Sequence, residues 1–497
     1  MHDDLKKIKN KMKENKLIID LSDKSLFGND AGEDESPEIL ESYFLNVNNS
    51  EGFFDKNCKL SIVSARKGMG KSSLLSLLNY ELEKNDKKAI VIRTTGNELL
   101  GLGDFSGKDQ IYLENYWKQI ICKKVNLEIG RRIGFALTND QIMMVENAEL
   151  ENMKQKNFIG ALLDRLKFKL TSGNIETEIS NGTLPENWKN LLENYQKENE
   201  NSYVWLLIDD IDAKYNNNIE YQERVSSFFS AIRSLAHGIE RLNIRATVRS
   251  DVWNSILHIE DLDKLEQYIF EIKWSKNQMR DILAKKISAF IKRNHITAPE
   301  SKLDYNKQYK ALFNIVFNEE MNWSGKKISF YEPILIYSNK RPRWMGQLCR
   351  YAAENAYHNG FNQISERNLI SVLEKFGKNR VADFRKEHKH QFEYIQELVD
   401  TFRSGNRNYN REQLNKKIND TFLKKFKSKI EYIDGEPYIE EDQLGKFLYK
   451  IGFLATKENG SYKSFEDKPD LFESHKNFEN KILWEIHPAY RNYLNIK

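Results

Sequence analysis

The chain has 497 residues, of which 40% are hydrophobic, 30% charged and 12% aromatic, with a formal net charge of +4. That balance excludes a disordered chain, and it lacks the basic excess that by itself announces a nucleic-acid binder. Three scattered cysteines, Cys58, Cys122 and Cys349, exclude a disulfide framework and a cysteine metal site, so a reducing cytoplasm is the expected compartment.

Residues 1–24 read as a charged helix or arm. Leu26 to Glu35 contains Gly28, Gly32 and several acids and reads as a loop. Pro37 to Leu45 reads as a short amphipathic helix with Ile39, Leu40, Tyr43 and Phe44 on one side. Lys59 to Ser64 is apolar enough for a buried strand, and Ser73 to Leu82 has a helical pattern. Between them lies Ala65-Arg66-Lys67-Gly68-Met69-Gly70-Lys71-Ser72. A strand, a glycine-bearing loop ending in Gly-Lys-Ser, and then a helix form the context of a P-loop. In such a loop backbone N–H groups and the helix N-terminus wrap phosphates. Lys71 would then reach the β- and γ-phosphates, and the Ser72 hydroxyl would hold Mg²⁺. Ala65 stands where the pattern has its first glycine, which points to an altered loop backbone, because alanine disfavours positive φ.

Lys88 to Thr94 reads as a second strand, Gly101 to Lys108 as a glycine-rich loop, and 109–133 as a helix with Leu113, Tyr116, Trp117, Ile120 and Ile121 spaced for burial. Residues 139–200 read as a helical insertion with a loop near Thr171 to Pro185. Tyr203 to Asp212 is an apolar run ending in paired acids, a Walker B pattern that sets a carboxylate at the carboxyl edge of a parallel sheet. Asp209 is assigned to the metal, and Asp212 would support either neighbour. The plainer alternative, an ordinary strand with an acidic turn, is weakened by the upstream loop. Residues 218–238 read as an amphipathic helix, Leu242 to Arg249 as a fourth strand and Tyr268 to Trp274 as a fifth. Alternating strands and helices predict a mostly parallel sheet. Arg249 falls at a strand end where it would sense the γ-phosphate; the alternative is a surface ion pair.

A helix is expected over 275–293, whereas Ile328 to Pro333 fits no pattern well. Tyr337 to Leu348 opens a helix running to about Tyr357, with Pro342 suited to its first turn. Arg341 and Arg343 sit at its mouth, where one would reach a nucleotide; the alternative is a basic helix start without a ligand. Helices are expected over 364–376, 380–403, 411–429 and 441–451, with a break at Ser404-Gly405-Asn406. Asn459-Gly460 signals a hairpin, and Lys481 to His487 reads as a last strand. Helices followed by a hairpin suggest a winged helix. Lys416, Lys417, Lys424, Lys425, Lys427 and Lys429 make a basic helix with Phe422 and Phe426. It reads either as a contact for DNA or RNA phosphates or, more simply, as a solvated lysine face over a packed aromatic side. No apolar run approaches the ~20 residues of a membrane span, and the first residues carry no apolar stretch of a secretory signal.

With these motifs in order, the chain resembles the STAND and origin-recognition-like branch of the AAA+ ATPases. More narrowly, it resembles bacterial P-loop ATPases with a Phe-Gly-Asn motif (Phe27-Gly28-Asn29), an Arg-Lys-Gly-x-Gly-Lys-Ser loop (Arg66 to Ser72) and an Arg-Pro-Arg lid motif (Arg341-Pro342-Arg343). The resemblance implies an α/β fold: a P-loop NTPase parallel sheet with helices on both faces, a helical lid, and a C-terminal winged-helix-like domain. The expected boundaries are 1–24 for the arm, 25–274 for the core with its insertion near 139–200, 275–362 for the lid and 363–497 for the last domain. It implies ATP and Mg²⁺ as cofactors. Phe27, Gly28, Asn29, Lys67, Gly68, Met69, Gly70, Lys71, Ser72, Ser73, Arg341 and Arg343 would contact the nucleotide, with Phe27 to Asp30 near the adenine. Ser72 and Asp209 would hold the metal, and Lys71, Asp210 and Arg249 would be catalytic, Asp210 as the water-positioning acid. Asp210 replaces the commoner Glu, which suggests slow turnover.

Three roles follow from the resemblance. One is an ATP-hydrolysing switch in bacterial stress or anti-phage defence, acting on a separately encoded effector and forming a homo-oligomer in which Arg241 or Arg245 reaches across an interface. The second is an origin-recognition or helicase-loader ATPase that grips DNA through the C-terminal domain. The third is a scaffold that holds nucleotide without turnover.

Overall fold

In the computed structural model the described residues are 17–32, 34–48, 50–100, 107–133, 136, 138–151, 188–212, 219–256, 260–323, 325–458, 460–473 and 482–496. The chain forms two compact units: Asn48–Ala65 with Leu74–Glu271, and Met1–Val47 with Arg66–Ser73 and Ile272–Lys497. Of the charged helix or arm expected over residues 1–24, residues 1–16 lie outside the described residues, and residues 17–24 form no α-helix, only the start of a short 3-10 turn over Lys24–Leu26. The loop near Thr171 to Pro185 also lies outside the described residues.

The first unit is built on a five-stranded sheet. Its strands are β1 (Leu60–Ala65), β2 (Ala89–Thr95), β3 (Tyr203–Asp209), β4 (Leu242–Arg249) and β5 (Ile269–Glu271). Their order is β2-β3-β4-β1-β5 and every pairing is parallel. The expectation of a parallel α/β sheet holds. The runs Leu60-Ser61-Ile62-Val63 and Val204-Trp205-Leu206-Leu207-Ile208 are buried throughout, as a sheet covered on both faces requires. Helix α1 (Lys71–Asn85) follows β1 after the glycine loop, and Leu74, Leu75, Leu77 and Leu78 are buried. Helices α2 (Gln110–Arg132), α3 (Asn139–Leu150) and α4 (Trp188–Glu198) lie between β2 and β3 in the chain, the last two within the stretch expected as an insertion near 139–200, and α5 (Ile219–Gly238) precedes β4. Trp117 of α2 meets Phe228 of α5 edge-on and donates from its indole to Ser227 Oγ at 3.0 Å, so its one polar atom is satisfied in the core.

In the second unit α6 (Lys276–Asn294) starts at a capping box in which Ser275 and Gln278 satisfy each other's backbone N–H. Its buried stripe runs through Met279, Ile282, Leu283, Lys286, Ile287 and Phe290, and the short helix Pro37–Tyr43 packs Leu40 and Tyr43 against its Ala289. The stretch around Ile328 resolves into the end of a hairpin, β6 (Glu320–Trp323) with β7 (Lys326–Ser329), followed by a helix over Tyr331–Ser338. Helix α7 (Pro342–His358) has its proline at the start, as expected.

Helix α8 (Glu366–His388) runs unbroken where a gap near 377–380 was expected. Gly377 lies inside it because the C-terminal segment crosses there: a Cβ would stand 3.0 Å from Tyr493 Cβ and 3.1 Å from Ala489 O. The helix expected to 403 is instead the end of α8 and a short turn of helix over Ile395–Asp400. The lysine-rich helix is α9 (Arg411–Ile418), continued by a wider turn over Asn419–Leu423 and short turns to Lys429. Then come α10 (Asp442–Lys450) and a four-stranded antiparallel sheet. Its strands are β8 (Asn408–Tyr409), β9 (Leu454–Glu458), β10 (Ser461–Lys463) and β11 (Trp484–Ile486), in the order β10-β9-β11-β8. Helix α11 (Pro488–Leu494) ends the described chain. The expected hairpin is the β9–β10 pair. Among the described residues no helix is long and apolar enough to cross a membrane.

Candidate functional site

In the first unit the parallel strands bring Ala65, Asp209 and Arg249 to the same, carboxyl-terminal edge of the sheet. Ala65 is the last residue of β1, in register with Arg249 of β4. It is not among the residues with positive φ. The altered backbone expected at this position is therefore absent: the residue belongs to the strand, where a β-carbon is welcome.

At the end of β3 the chain turns sharply. Asp210 has φ of +49°, a conformation that aspartate tolerates better than most residues. The turn is fixed by three bonds. The Thr247 hydroxyl donates to Asp209 Oδ1 at 2.6 Å, and the Asp210 N–H points to both Asp209 Oδ1 at 3.0 Å and Thr247 Oγ1 at 3.1 Å. Asp209 is buried, and both of its hydrogen bonds among the described residues go to Oδ1. Oδ2 is thereby left for a cation or its water, which fits the metal role expected of Asp209. Asp210 is exposed at the same corner. Thr247, which the sequence reading missed, orients the carboxylate.

Arg249 is held by two carboxylates, in a fork with Asp251 and 3.5 Å from Asp212 Oδ2. Sequence reading left open an ion pair or a phosphate sensor; the ion pair is what the structure contains. The arginines expected to cross an interface are placed against that role. Arg245 is fully buried. It donates to the carbonyls of Phe53 at 2.6 Å, Asp55 at 2.8 Å and Ile244 at 2.9 Å, and lies 4.8 Å from the Trp205 ring. It closes a backbone turn. Arg241 donates to the Gln196 carbonyl and precedes β4, at the opposite edge of the sheet from Asp209.

In the second unit the glycine loop is shaped by Gly68 and Gly70, with φ of +80° and +107°. Lys71 and Ser72 are the first two residues of α1, so the helix N-terminus begins at them. Lys71 and Met69 are buried, whereas Lys67, Ser72 and Ser73 are half-buried. The Ser72 hydroxyl has no hydrogen-bond partner among the described residues and suits a metal ligand.

The loop is supported from several directions. Trp274 Nε1 donates to Met69 O at 2.9 Å, Arg341 Nη1 to Lys67 O at 3.4 Å, and the Arg343 N–H to Gly68 O at 3.2 Å. Arg66 bonds Lys450 O at 3.0 Å and pairs with Glu466 at 2.8 Å.

The two lid arginines differ. Arg341 is buried, stacks on Trp344 and pairs with buried Glu387 at 2.8 Å. Burial alone would lower its pKa, and Glu387 more than offsets this. Arg341 is thus a tether. Arg343 Nε is buried and has no acceptor among the described residues, so of the two it is Arg343 that keeps a donor to offer.

Phe27, Gly28 and Asn29 pack on the same unit. Phe27 is 1% exposed, and its carbonyl accepts from Lys286 at 2.7 Å. Arg350 donates to Gly28 O at 2.7 Å and pairs with Asp30. The Asn29 N–H donates to Glu35 at 2.8 Å, and the Tyr43 hydroxyl donates to the same carboxylate at 3.1 Å. Gly32 lies against Ser73, where a Cβ would meet the serine Oγ at 1.9 Å. Burial draws the Lys286 ammonium down to about 8, with Glu35 opposing and Arg350 assisting. Lys286, Arg350, Glu35 and Tyr43 were not found from sequence. Lys286 sits at a core position of α6, and Arg350 is seven residues beyond Arg343 on α7, a spacing that carries meaning only once the helix is known.

No family model and no curated protein matches the chain. Solved structures with a similar course include Cdc6p from Pyrobaculum aerophilum, at 13% identity and a TM-score of 0.32, covering 96% of this chain and 97% of that one. The Aeropyrum pernix ORC1 protein, solved in complex with DNA, has 11% identity and a TM-score of 0.35, covering 92% and 90%. A single-substitution variant of RuvB from Thermotoga maritima has 10% identity and a TM-score of 0.30, covering 84% and 87%. Values this low assign no activity, and the chemistry must be read from the chain's own residues.

Proposed function

We propose that the chain binds and hydrolyses ATP as a molecular switch of the AAA+ kind. One observation carries this reading: β1 runs into a loop with Gly68 and Gly70 at positive φ, and Lys71 and Ser72 open the 15-residue helix α1. That arrangement offers successive backbone N–H groups and a cation to a polyphosphate. The Asp209–Thr247–Asp210 turn at the sheet edge supports the rest of the assignment.

In this reading Lys71 neutralises charge on the β- and γ-phosphates. Asp210 positions the attacking water. Arg343 answers the phosphates from α7. Phe27 to Asp30 line the base. Ser72 and Asp209 would hold Mg²⁺, which when bound supplies charge neutralisation at the transferring phosphoryl group. Arg66 and Arg341 couple the loop to the segment beyond residue 380, through Glu387, Lys450 and Glu466. A change in the loop on hydrolysis would be felt there, which suits a switch that informs a separate effector. We read the segment from 363 onward, with helices α8 to α10 followed by the β9–β10 hairpin, as a winged-helix-like domain.

The test is equilibrium ATP binding by the full chain and by a Lys71→Ala variant. Loss of at least about tenfold in affinity is expected, and wild-type affinity in the variant would remove the basis of the proposal.

A second reading is favoured by one surface. Lys416, Lys424, Lys425, Lys427 and Lys429 are exposed, beside Phe426, which stacks on Phe422 at 5.0 Å. Such a face suits nucleic-acid phosphates. Binding to duplex DNA that weakens with salt and disappears in a Lys424→Gln/Lys425→Gln/Lys427→Gln variant would support it; no binding at low salt would reject it.

A further inference from the structure

We infer that Gln347 reads the base of the nucleotide and selects adenine; this rests on the ATP reading above. Helix α7 presents Arg343, Gly346, Gln347 and Arg350 at i, i+3, i+4 and i+7, which is one face. The face is anchored at both ends. At its start the Arg343 N–H bonds Gly68 O, and a Cβ on Gly68 would lie 3.2 Å from Arg343 Cβ. Further along, a Cβ on Gly346 would lie 3.3 Å from Phe27 O, and Arg350 reaches Gly28 O at 2.7 Å. The stripe therefore runs from the glycine loop to the Phe27–Asp30 segment, and Gln347 lies between the two anchors.

Gln347 is 6% exposed, and its buried Oε1 accepts no hydrogen bond among the described residues. One turn earlier on the same face, Arg343 Nε is a buried donor with no acceptor there. Neighbouring groups of opposite character left unanswered on one face are costly, and a ligand that supplies both partners removes the cost. Arg343, beside Gly68, takes an anionic oxygen. Gln347, one turn nearer to Phe27, takes a donor.

The adenine edge fits. Its N6 amine gives a donor and N7 an acceptor, and a glutamine amide matches both at once. Guanine offers O6 and N7, two acceptors, so rotating the amide cannot satisfy them together. Gln347 is thus a specificity-determining contact with the base.

The experiment measures binding of ATP, GTP and purine riboside triphosphate (ATP without its 6-amino group) to the full chain and to Gln347→Met and Gln347→Glu variants. The wild type is expected to favour ATP over the desamino analogue by about tenfold, the value of one hydrogen bond. Gln347→Met should bind the two equally, through weaker ATP binding. Gln347→Glu, which keeps an acceptor, should retain part of the preference. An unchanged ratio in Gln347→Met overturns the inference, as does a wild type that binds both analogues equally, a result that needs no variant to fold. A wild type that binds neither nucleotide defeats the ATP reading along with it. Binding with an unaltered ratio defeats only the role of Gln347.

Discussion

Thr247→Val replaces a buried hydroxyl by a methyl of the same size, at a residue 0% exposed. The hydroxyl donates to Asp209 Oδ1 at 2.6 Å and accepts from the Asp210 N–H at 3.1 Å. Valine removes both bonds, while the Asp210 N–H keeps its bond to Asp209 Oδ1 at 3.0 Å. A hydrogen bond to a charged group is worth about 1.5–3 kcal/mol. The melting transition should therefore fall by roughly 3–12 °C, using ~2–4 °C per kcal/mol for a unit of this size. The functional consequence follows from geometry. Oδ1 loses its shortest anchor, the carboxylate rotates more freely, and Oδ2 no longer points in one direction. Loss of such an orienting partner costs roughly 10–100-fold in metal affinity or turnover. The assay is ATP hydrolysis titrated with Mg²⁺, alongside ATP binding in EDTA. The Mg²⁺ midpoint should rise and turnover should fall, while metal-free ATP binding stays unchanged. Thr247→Ser, which keeps the hydroxyl, should restore most of the activity. A Thr247→Val protein with wild-type melting and Mg²⁺ dependence would refute the reasoning.

The two lid arginines should separate cleanly. Arg341→Ala breaks the buried pair with Glu387 and should cost about 3–5 kcal/mol, seen as a large drop in melting temperature. Arg343→Ala should leave the melting temperature nearly unchanged and weaken ATP binding by about fivefold or more in equilibrium titration. At acid pH, burial and the nearby Arg491 and Arg341 push His487 down to about 3, so it stays neutral in the folded chain while the unfolded chain takes up a proton below about 6.5. Wild-type stability should therefore fall as pH drops from 6.5 towards 3, by up to about 1.4 kcal/mol per pH unit from this group. The His487→Gln variant should flatten that slope in a melting series. Ala65→Gly should not quicken hydrolysis, because the strand geometry at 65 needs no glycine; it should cost about 0.5–1 kcal/mol in a denaturant titration.

Much of the fold and part of the site were legible because their signals are local. The strand, the glycine loop and Lys71-Ser72 are contiguous, and the apolar run into Asp209-Asp210 announces a buried strand with acids at its end. Other features depend on register or on distant elements. Thr247 is one polar residue in β4, a strand whose alternate positions Asn243, Arg245 and Thr247 are all fully buried. Its role appears only when β4 is set beside β3. The same burial removes Arg245 from any interface. Lys286 and Arg350 are 259 and 322 residues from the carbonyls they bond, and no pattern near them marks the contact. The gap expected between 376 and 380 fails for a tertiary reason: Gly377 sits inside the helix for the close approach of the C-terminal segment, and packing outweighs its low helix propensity.

The account turns on hydrolysis, and the most direct measurement is steady-state phosphate release from ATP by the full chain with Mg²⁺, compared with Asp210→Asn. The account predicts slow but measurable release in the wild type and a fall of about 100-fold or more in Asp210→Asn, with ATP binding retained in both. Equal rates in the two proteins, or no release from a wild type that binds ATP, would contradict it.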